Sequence, residues 1–284
     1  MGDEEYAEAS QRQWGAAAEA WARAGEEPDR GASAEVATWM LEAAELRPGQ
    51  RLLELACGAG RVGLQAAEAV GVEGHVLCSD FAEPMVAAVR ERAVALGLEN
   101  VSARVLDAEA LALTEGERFD RVLCRFGYML MSDPLEALRQ SRGALEPDGR
   151  LVLAVWGRGE QNPWLATLLQ SVIDHFGAPP PEPGMPGPFA LGDPQRLADL
   201  LERAGFEGAT ITRLEPEQTY ESAEEWWERI TAIGGPLAAA LGAIQGDDVA
   251  AIRERALKAA AAFVRADGSA VFPASVLAAT APAT

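Results

Sequence analysis

Leu52-Leu53-Glu54-Leu55-Ala56-Cys57-Gly58-Ala59-Gly60-Arg61 is an apolar run that ends in a glycine-rich turn and passes into a helical pattern over Arg61–Val70. A strand, a tight glycine turn and a helix N-terminus in that order form the opening unit of a nucleotide-binding α/β sheet. Outward from it, strand candidates recur at Arg51–Leu55, His75–Ser79, Val101–Leu106, Arg121–Cys124 and Arg150–Val155. Helix candidates Glu83–Leu96 and Pro134–Leu145 lie between them. Strands alternating with helices of this length pair in parallel through right-handed crossovers. Their almost unbroken apolar character predicts helices on both faces.

The flanks read differently. Residues 4–45 are expected to be helical, broken at Glu26-Glu27-Pro28-Asp29, with Ser33 as the cap of a helix through Leu46. After Trp156 come a helix over Asn162–Phe176, a stiff proline-rich loop over Gly177–Pro188, a helix over Asp193–Ala204 and a strand over Gly208–Leu214. Ser222–Ala266 is helical again, interrupted at Gly234-Gly235-Pro236 and Gly246, and a last strand is expected near Val276–Ala281. The fold class is therefore α/β: a Rossmann-like, doubly wound, mostly parallel seven-stranded sheet with an N-terminal helical cap and a helical lid insertion. The boundaries expected are a cap over 1–46, a core over 47–160, helices, proline-rich loop and strand six over 161–214, the lid over 215–268 and the last strand over 269–284.

The chain has 284 residues, 49% of them hydrophobic, which suits a globular protein and not a disordered one. Its formal charge is −20, from 44 acidic against 24 basic residues. Such a field repels polyanions, so a small-molecule partner is expected and nucleic acid is not. No apolar stretch reaches the ~18 residues of a membrane span. The acidic start lacks the order of a secretory signal, and Tyr6 stands where a myristoylation site wants Ser or Thr. Cys57, Cys78 and Cys124 show no CxxC spacing, so neither a disulfide framework nor a metal site is expected. They read as small buried fillers, and a cytoplasmic location follows as the default. The sequence does not indicate the oligomeric state.

Gly58, Gly60 and Gly63 satisfy GxGxxG, and Asp80 follows Gly60 by 20 residues, which keeps an NAD-dependent oxidoreductase open. Glu54 speaks against it, because a carboxylate at the end of the strand repels a pyrophosphate that the helix N-terminus would otherwise attract. Glu54, Asp80 and Asp107 close strands one, two and three at the carboxyl edge, where such sheets bind ligands. Three acids there suit a ligand with a cationic amino-acid end, a ribose diol and an exocyclic amine; S-adenosylmethionine is one.

These residues resemble motif I of the class I S-adenosylmethionine-dependent methyltransferases, E-x-x-x-G-x-G. The likeness continues through Asp80-Phe81-Ala82-Glu83-Pro84-Met85, which is similar to the D-x-x-x-x-M region, and through Val105-Leu106-Asp107-Ala108. Leu145-Glu146-Pro147-Asp148-Gly149 resembles the L-x-P-G-G turn, with Asp148 in place of the first glycine. It covers about residues 46–157 well and 190–214 loosely, and is similar to the branch of menaquinone and ubiquinone C-methyltransferases and small-molecule methyltransferases. What the resemblance implies is S-adenosylmethionine as methyl donor, with S-adenosylhomocysteine as product. The backbone at Ala56, Gly58 and Gly60 would approach the methionine moiety, and Glu54 would order the loop and face the amino group. Asp80 would bind the ribose, Phe81 and Met85 would flank the adenine, Asp107 and Ala108 would meet its edge, and Arg125 would border the methionine end. Asp80 and Asp107 also read as helix caps, and Arg125 as the partner of a surface acid. A protein that binds S-adenosylmethionine as a sensor or scaffold, without turnover, is the remaining alternative.

On the acceptor side, Trp14, Trp21, Phe126, Tyr128, Trp156 and Trp164 fall on the cap, the carboxyl edge or the following helix. They predict an aromatic, largely apolar pocket, although each Trp also reads as an anchor for its own helix. Strand four runs on as Leu123-Cys124-Arg125-Phe126 rather than N/D-P-P-Y, which disfavours planar amino-group acceptors such as adenine N6. His175 beside Asp174 is a candidate general base, with a helix C-terminal cation as the alternative. Tyr128 is a second candidate, for orienting the acceptor.

Overall fold

The computed structural model describes residues 9–10, 12–17, 31–179, 184–233 and 241–283. Trp21 and part of the proline-rich loop lie outside them. Nine strands are described: β1 Arg51–Leu55, β2 His75–Asp80, β3 Val101–Val105, β4 Phe119–Arg125, β5 Leu145–Trp156, β6 Thr210–Leu214, β7 Glu217–Tyr220, β8 Ala270–Pro273 and β9 Val276–Pro282. Seven of them form the central sheet in the order β3-β2-β1-β4-β5-β9-β6. Pairing is parallel from β3 through β5, and β9 runs antiparallel to both β5 and β6. The chain winds outward from β1 to β3 and then returns to β4, so the sheet reverses direction between β1 and β4. That reversal opens a crevice at the carboxyl edge.

The local chemistry explains the elements. β1 buries every residue after Arg51, because helices cover both faces. The helix Arg61–Val70 turns Val62, Leu64, Ala66, Ala67 and Val70 into the core. Pro134 opens the helix Pro134–Ala144 in its first turn, where a missing N–H costs nothing, and Asp133 caps it by accepting from the Glu136 amide at 2.9 Å.

Several expectations are corrected. Ser33 does not cap the helix Ala32–Ala44; it lies inside it, and Gly31 takes the cap position at φ 56°. There a side chain would collide with the Glu217 carbonyl and the Gln218 side chain, which seats this helix on β7. The lid expected to be helical over 215–268 also contains β7, which pairs with β8 in a separate two-stranded sheet. Residues 270–273 thus belong to that small sheet, and the last strand begins at Val276. Trp226, Trp227, Ile230, Ile252 and Phe272 form a second core around this sheet and the helices Ala223–Ile233 and Gly246–Ala260.

Asn162 joins the two parts. It is fully buried; its Oδ1 accepts the Ser275 amide at 3.0 Å and the Trp164 indole N–H at 3.2 Å, and its Nδ2 donates to the Ser275 and Arg158 carbonyls. Replacing it with Ala leaves the buried Ser275 amide without its acceptor and takes one of two donors from each of the Ser275 and Arg158 carbonyls. Asn162→Ala is expected to cost ~2–4 kcal/mol, read as a lowered urea midpoint.

Candidate functional site

The crevice holds a cleft of about 1160 Å³, its open mouth included. Its floor is the glycine turn. Ala56 and Gly58 adopt left-handed backbone at φ 48° and 52°, and a Cβ built on Gly58 meets nothing within 4 Å. The turn thus presents bare backbone to open space. Gly60 serves another purpose than the one expected. It does not line the cleft, and its missing side chain makes room for Val89 of the helix Glu83–Ala95, 2.9 Å from the position a Cβ would take.

Two buried acids hold the turn. Glu54 at the end of β1 is 2% exposed; its Oε2 accepts the Gly63 amide at 2.8 Å and faces the Cys78 thiol at 3.7 Å. A side chain at Gly63 would strike that carboxylate, so glycine is required there. Burial pushes the Glu54 carboxyl up from 4.5 to about 7, against the opposing pull of the Arg125 charge and the Gly63 amide. Asp80 at the tip of β2 accepts the Gly58 amide on Oδ2 and the Ala82 amide on Oδ1, both at 3.0 Å. Burial raises its pKa as well, and those amides oppose the rise. Each carboxylate oxygen can accept a second bond, so Asp80 orders the loop and still offers acceptors to the cleft it lines.

The side walls come from neighbouring strands. Past β3, Asp107 and Ala108 line the cleft, and Asp107 Oδ1 accepts the Glu109 amide at 2.8 Å in a local turn. Phe81 and Met85 line it too, and Trp14 from the described part of the N-terminal helix packs with Phe81 against the small cluster of Ala82 and Met85. Past β4, Arg125 donates to the Ser33 carbonyl at 3.0 Å, and Phe126 stands in left-handed backbone at φ 60°. That conformation costs a non-glycine residue of the order of 1–2 kcal/mol. Stacking on Trp156, with ring centroids 4.1 Å apart and 7° between planes, holds the Phe126 ring at the cleft wall. Trp164 meets Trp156 edge-on from behind.

All the expected cofactor-side residues except Gly60 therefore line the cleft, and among the aromatic residues so do Trp14 and Phe126. Trp156 and Trp164 stand behind Phe126 as its support and do not line the cleft. Tyr128 is turned inward, 1% exposed, with its hydroxyl 2.6 Å from Ser141 Oγ. His175 is bonded through Nε2 to Asp248 at 2.8 Å and ties the helix Pro163–Phe176 to the helix Gly246–Ala260. Neither reaches the cleft. Glu109, Leu130, Met131 and Ser132 line it without having been singled out from the sequence. Among the described residues no group of His, Cys, Asp and Glu is placed to hold a metal ion.

Residues 46–174 match the family model described as a methyltransferase domain. This stretch is similar to a methyltransferase domain. It contains β1 to β5, both acids of the glycine turn and both side walls of the cleft. Nocamycin O-methyltransferase of Saccharothrix syringae is 34% identical over 183 residues, 60% of this chain and 64% of that protein. Demethylmenaquinone methyltransferase of Thermus thermophilus is 42% identical over 106 residues, 37% of this chain and 46% of that protein. The chain thus spans less than two thirds of either relative. Phosphoethanolamine N-methyltransferase 2 of Haemonchus contortus, solved with S-adenosyl-L-methionine, shares the fold at a TM-score of 0.55 and 17% identity, over 86% of this chain and 51% of that one. The oxidoreductase alternative gains no support from these matches. Among the described residues no helix is long and apolar enough to cross a membrane.

Proposed function

We propose that the protein is an S-adenosylmethionine-dependent methyltransferase that acts on a small, aromatic or apolar acceptor at an O, N or C atom. The observation that carries this reading is the charge of the cleft. Four acids line it, Glu54, Asp80, Asp107 and Glu109, against one cation among the described lining residues, Arg125. Such a cleft favours a cationic ligand over a pyrophosphate. The donor fits the residues present: bare backbone at Gly58 leaves room beside Glu54 for an ammonium group, and Asp80 retains acceptor capacity for a ribose diol. When bound, it supplies a methyl carbon made electrophilic by its sulfonium.

The chain's own residues would then bind, orient and exclude water. Glu54 and Arg125 would receive the charged amino-acid end, Asp80 the diol, and Phe81, Met85, Asp107 and Ala108 the adenine. Phe126, Leu130, Met131 and Trp14 offer the apolar surface against which an acceptor would lie. With His175 and Tyr128 bonded elsewhere, catalysis rests on alignment and dehydration of the reactants, which hold reacting atoms ~3–3.5 Å apart. The overall charge of −20 supports a small molecule over nucleic acid. Formation of S-adenosylhomocysteine from S-adenosylmethionine across a panel of hydroxynaphthalenes, phenols and aryl amines tests the activity. Tight donor binding with no turnover across that panel favours the sensor or scaffold reading.

A pH dependence follows from Glu54. Its carboxyl is about half protonated near pH 7, where it titrates. An ammonium group favours the ionised form, so binding expels a proton below that pH. Affinity for S-adenosylhomocysteine is expected to rise ~10-fold from pH 6 to pH 8 and then level off. Calorimetry in buffers of different ionisation heat measures the proton release, and Glu54→Gln is expected to remove it. In the free protein the sign is opposite. A carboxyl raised on folding favours the folded state below pH 4.5, and that contribution is lost as pH rises through about 7.

A further inference from the structure

Glu109 lies two residues past Asp107, on the turn after β3. Its Oε1 accepts the Ser132 amide at 2.9 Å and lies 3.4 Å from the Ser132 hydroxyl, and its Oε2 accepts the Asp133 amide at 2.9 Å. Those donors belong to the segment after β4. In the sheet, β2 and β1 lie between β3 and β4. At ~4.8 Å per strand, three intervals separate the two strands by roughly 14 Å. The bridge therefore spans the tips of β2 and β1, the strands that carry Asp80 and the glycine turn. It joins the wall holding Asp107 and Ala108 to the wall holding Phe126, Leu130 and Met131, and turns an open crevice into a ring. Glu109 and Ser132 both line the cleft.

We propose that Glu109 is a positioning residue: its carboxylate clasps the two walls of the cleft at the separation that the donor requires. The inference rests on the donor site proposed above. Glutamate suits the task because an ionised carboxylate accepts on both oxygens, and charge-assisted bonds are about twice as strong as neutral ones. Glutamine cannot replace it, since its NH₂ would face an N–H donor at one of the two positions.

The test compares Glu109→Gln with Asp133→Ala. The second variant removes the cap on Pro134–Ala144 but keeps the Asp133 amide that Glu109 accepts. Dissociation constants are measured by calorimetry for S-adenosylhomocysteine and for 5′-methylthioadenosine, which lacks the amino-acid end, and melting temperatures are recorded in parallel. Glu109→Gln is expected to weaken both ligands ~10-fold or more. Asp133→Ala is expected to lower the melting temperature yet keep both constants within about twofold of the unmodified chain. If Glu109→Gln lowers only the melting temperature and leaves both constants unchanged, Glu109 is a structural tie and the proposal is wrong. If the unmodified chain binds neither ligand, the donor site itself falls and this inference with it. Loss of binding in Glu109→Gln alone, with the unmodified chain binding normally, supports the clasp.

Discussion

Gly58→Val is expected to abolish binding of S-adenosylhomocysteine while the protein still folds. The glycine stands at φ 52° with nothing within 4 Å of an added Cβ. A Val side chain would therefore meet no protein atom at its Cβ and would extend into the cleft. The left-handed backbone adds of the order of 1–2 kcal/mol of strain, which lowers the melting temperature by several degrees at most for a chain of this size. Binding suffers far more, because the methyl groups fill the space beside Glu54 that the ligand would occupy. A loss of affinity beyond ~100-fold, with the far-ultraviolet dichroism of the unmodified protein, is the expected pair of results. Normal binding by this variant contradicts the placement of the donor.

Asp80→Ala carries the second largest effect. Its carboxylate does two things at once: it fixes the amides of Gly58 and Ala82, and it faces the cleft. Truncation leaves those amides without their partner and removes the acceptor proposed for the ribose hydroxyls. Loss of a charged hydrogen-bonding group is worth ~1.5–3 kcal/mol, so S-adenosylhomocysteine affinity should fall roughly 10- to 150-fold. In Asp80→Asn one of the two positions becomes a donor; because each oxygen accepts a loop amide, the loop loses one acceptor whichever way the amide turns, and an intermediate loss is expected. Calorimetric titration below the melting range of each variant checks the series.

The parallel sheet was legible because its strands and helices alternate with distinct periods, and because apolar strands buried on both faces leave a dense pattern. The floor of the cleft was legible for a related reason: a strand, a glycine turn and a helix form one local unit that sets Glu54 and Gly58, and Asp80 closes the next strand of the same alternating pattern. What lay beyond local pattern was not legible. Glu217–Tyr220 is four mostly polar residues, too short to signal a strand until Ala270–Pro273 pairs with it. Trp226 and Trp227 enter a second core, because the insertion buries enough apolar surface to need one of its own.

The same distance effect governs the site. The 3₁₀ turn Tyr128–Leu130 rotates Tyr128 inward onto Ser141 while Leu130 and Met131 face the cleft, and no periodicity announces that rotation. His175 finds Asp248 across 73 positions, and Glu109 finds Ser132 and Asp133 across 23 and 24. Gly60 fits the glycine pattern of the motif, but its role is to let Val89 approach. A motif therefore placed the residue without giving the physical reason for it.

The central claim is that acids at adjacent strand tips bind an adenosyl ligand with a cationic amino-acid end and not a dinucleotide. Parallel calorimetric titrations of the unmodified chain at pH 8 with S-adenosylmethionine, S-adenosylhomocysteine and NAD⁺ test it most directly. The expected result is one saturable site for each of the first two, mutually competitive, and no heat of binding with NAD⁺. Saturable binding of NAD⁺ together with silence toward both S-adenosyl ligands is the result that contradicts it.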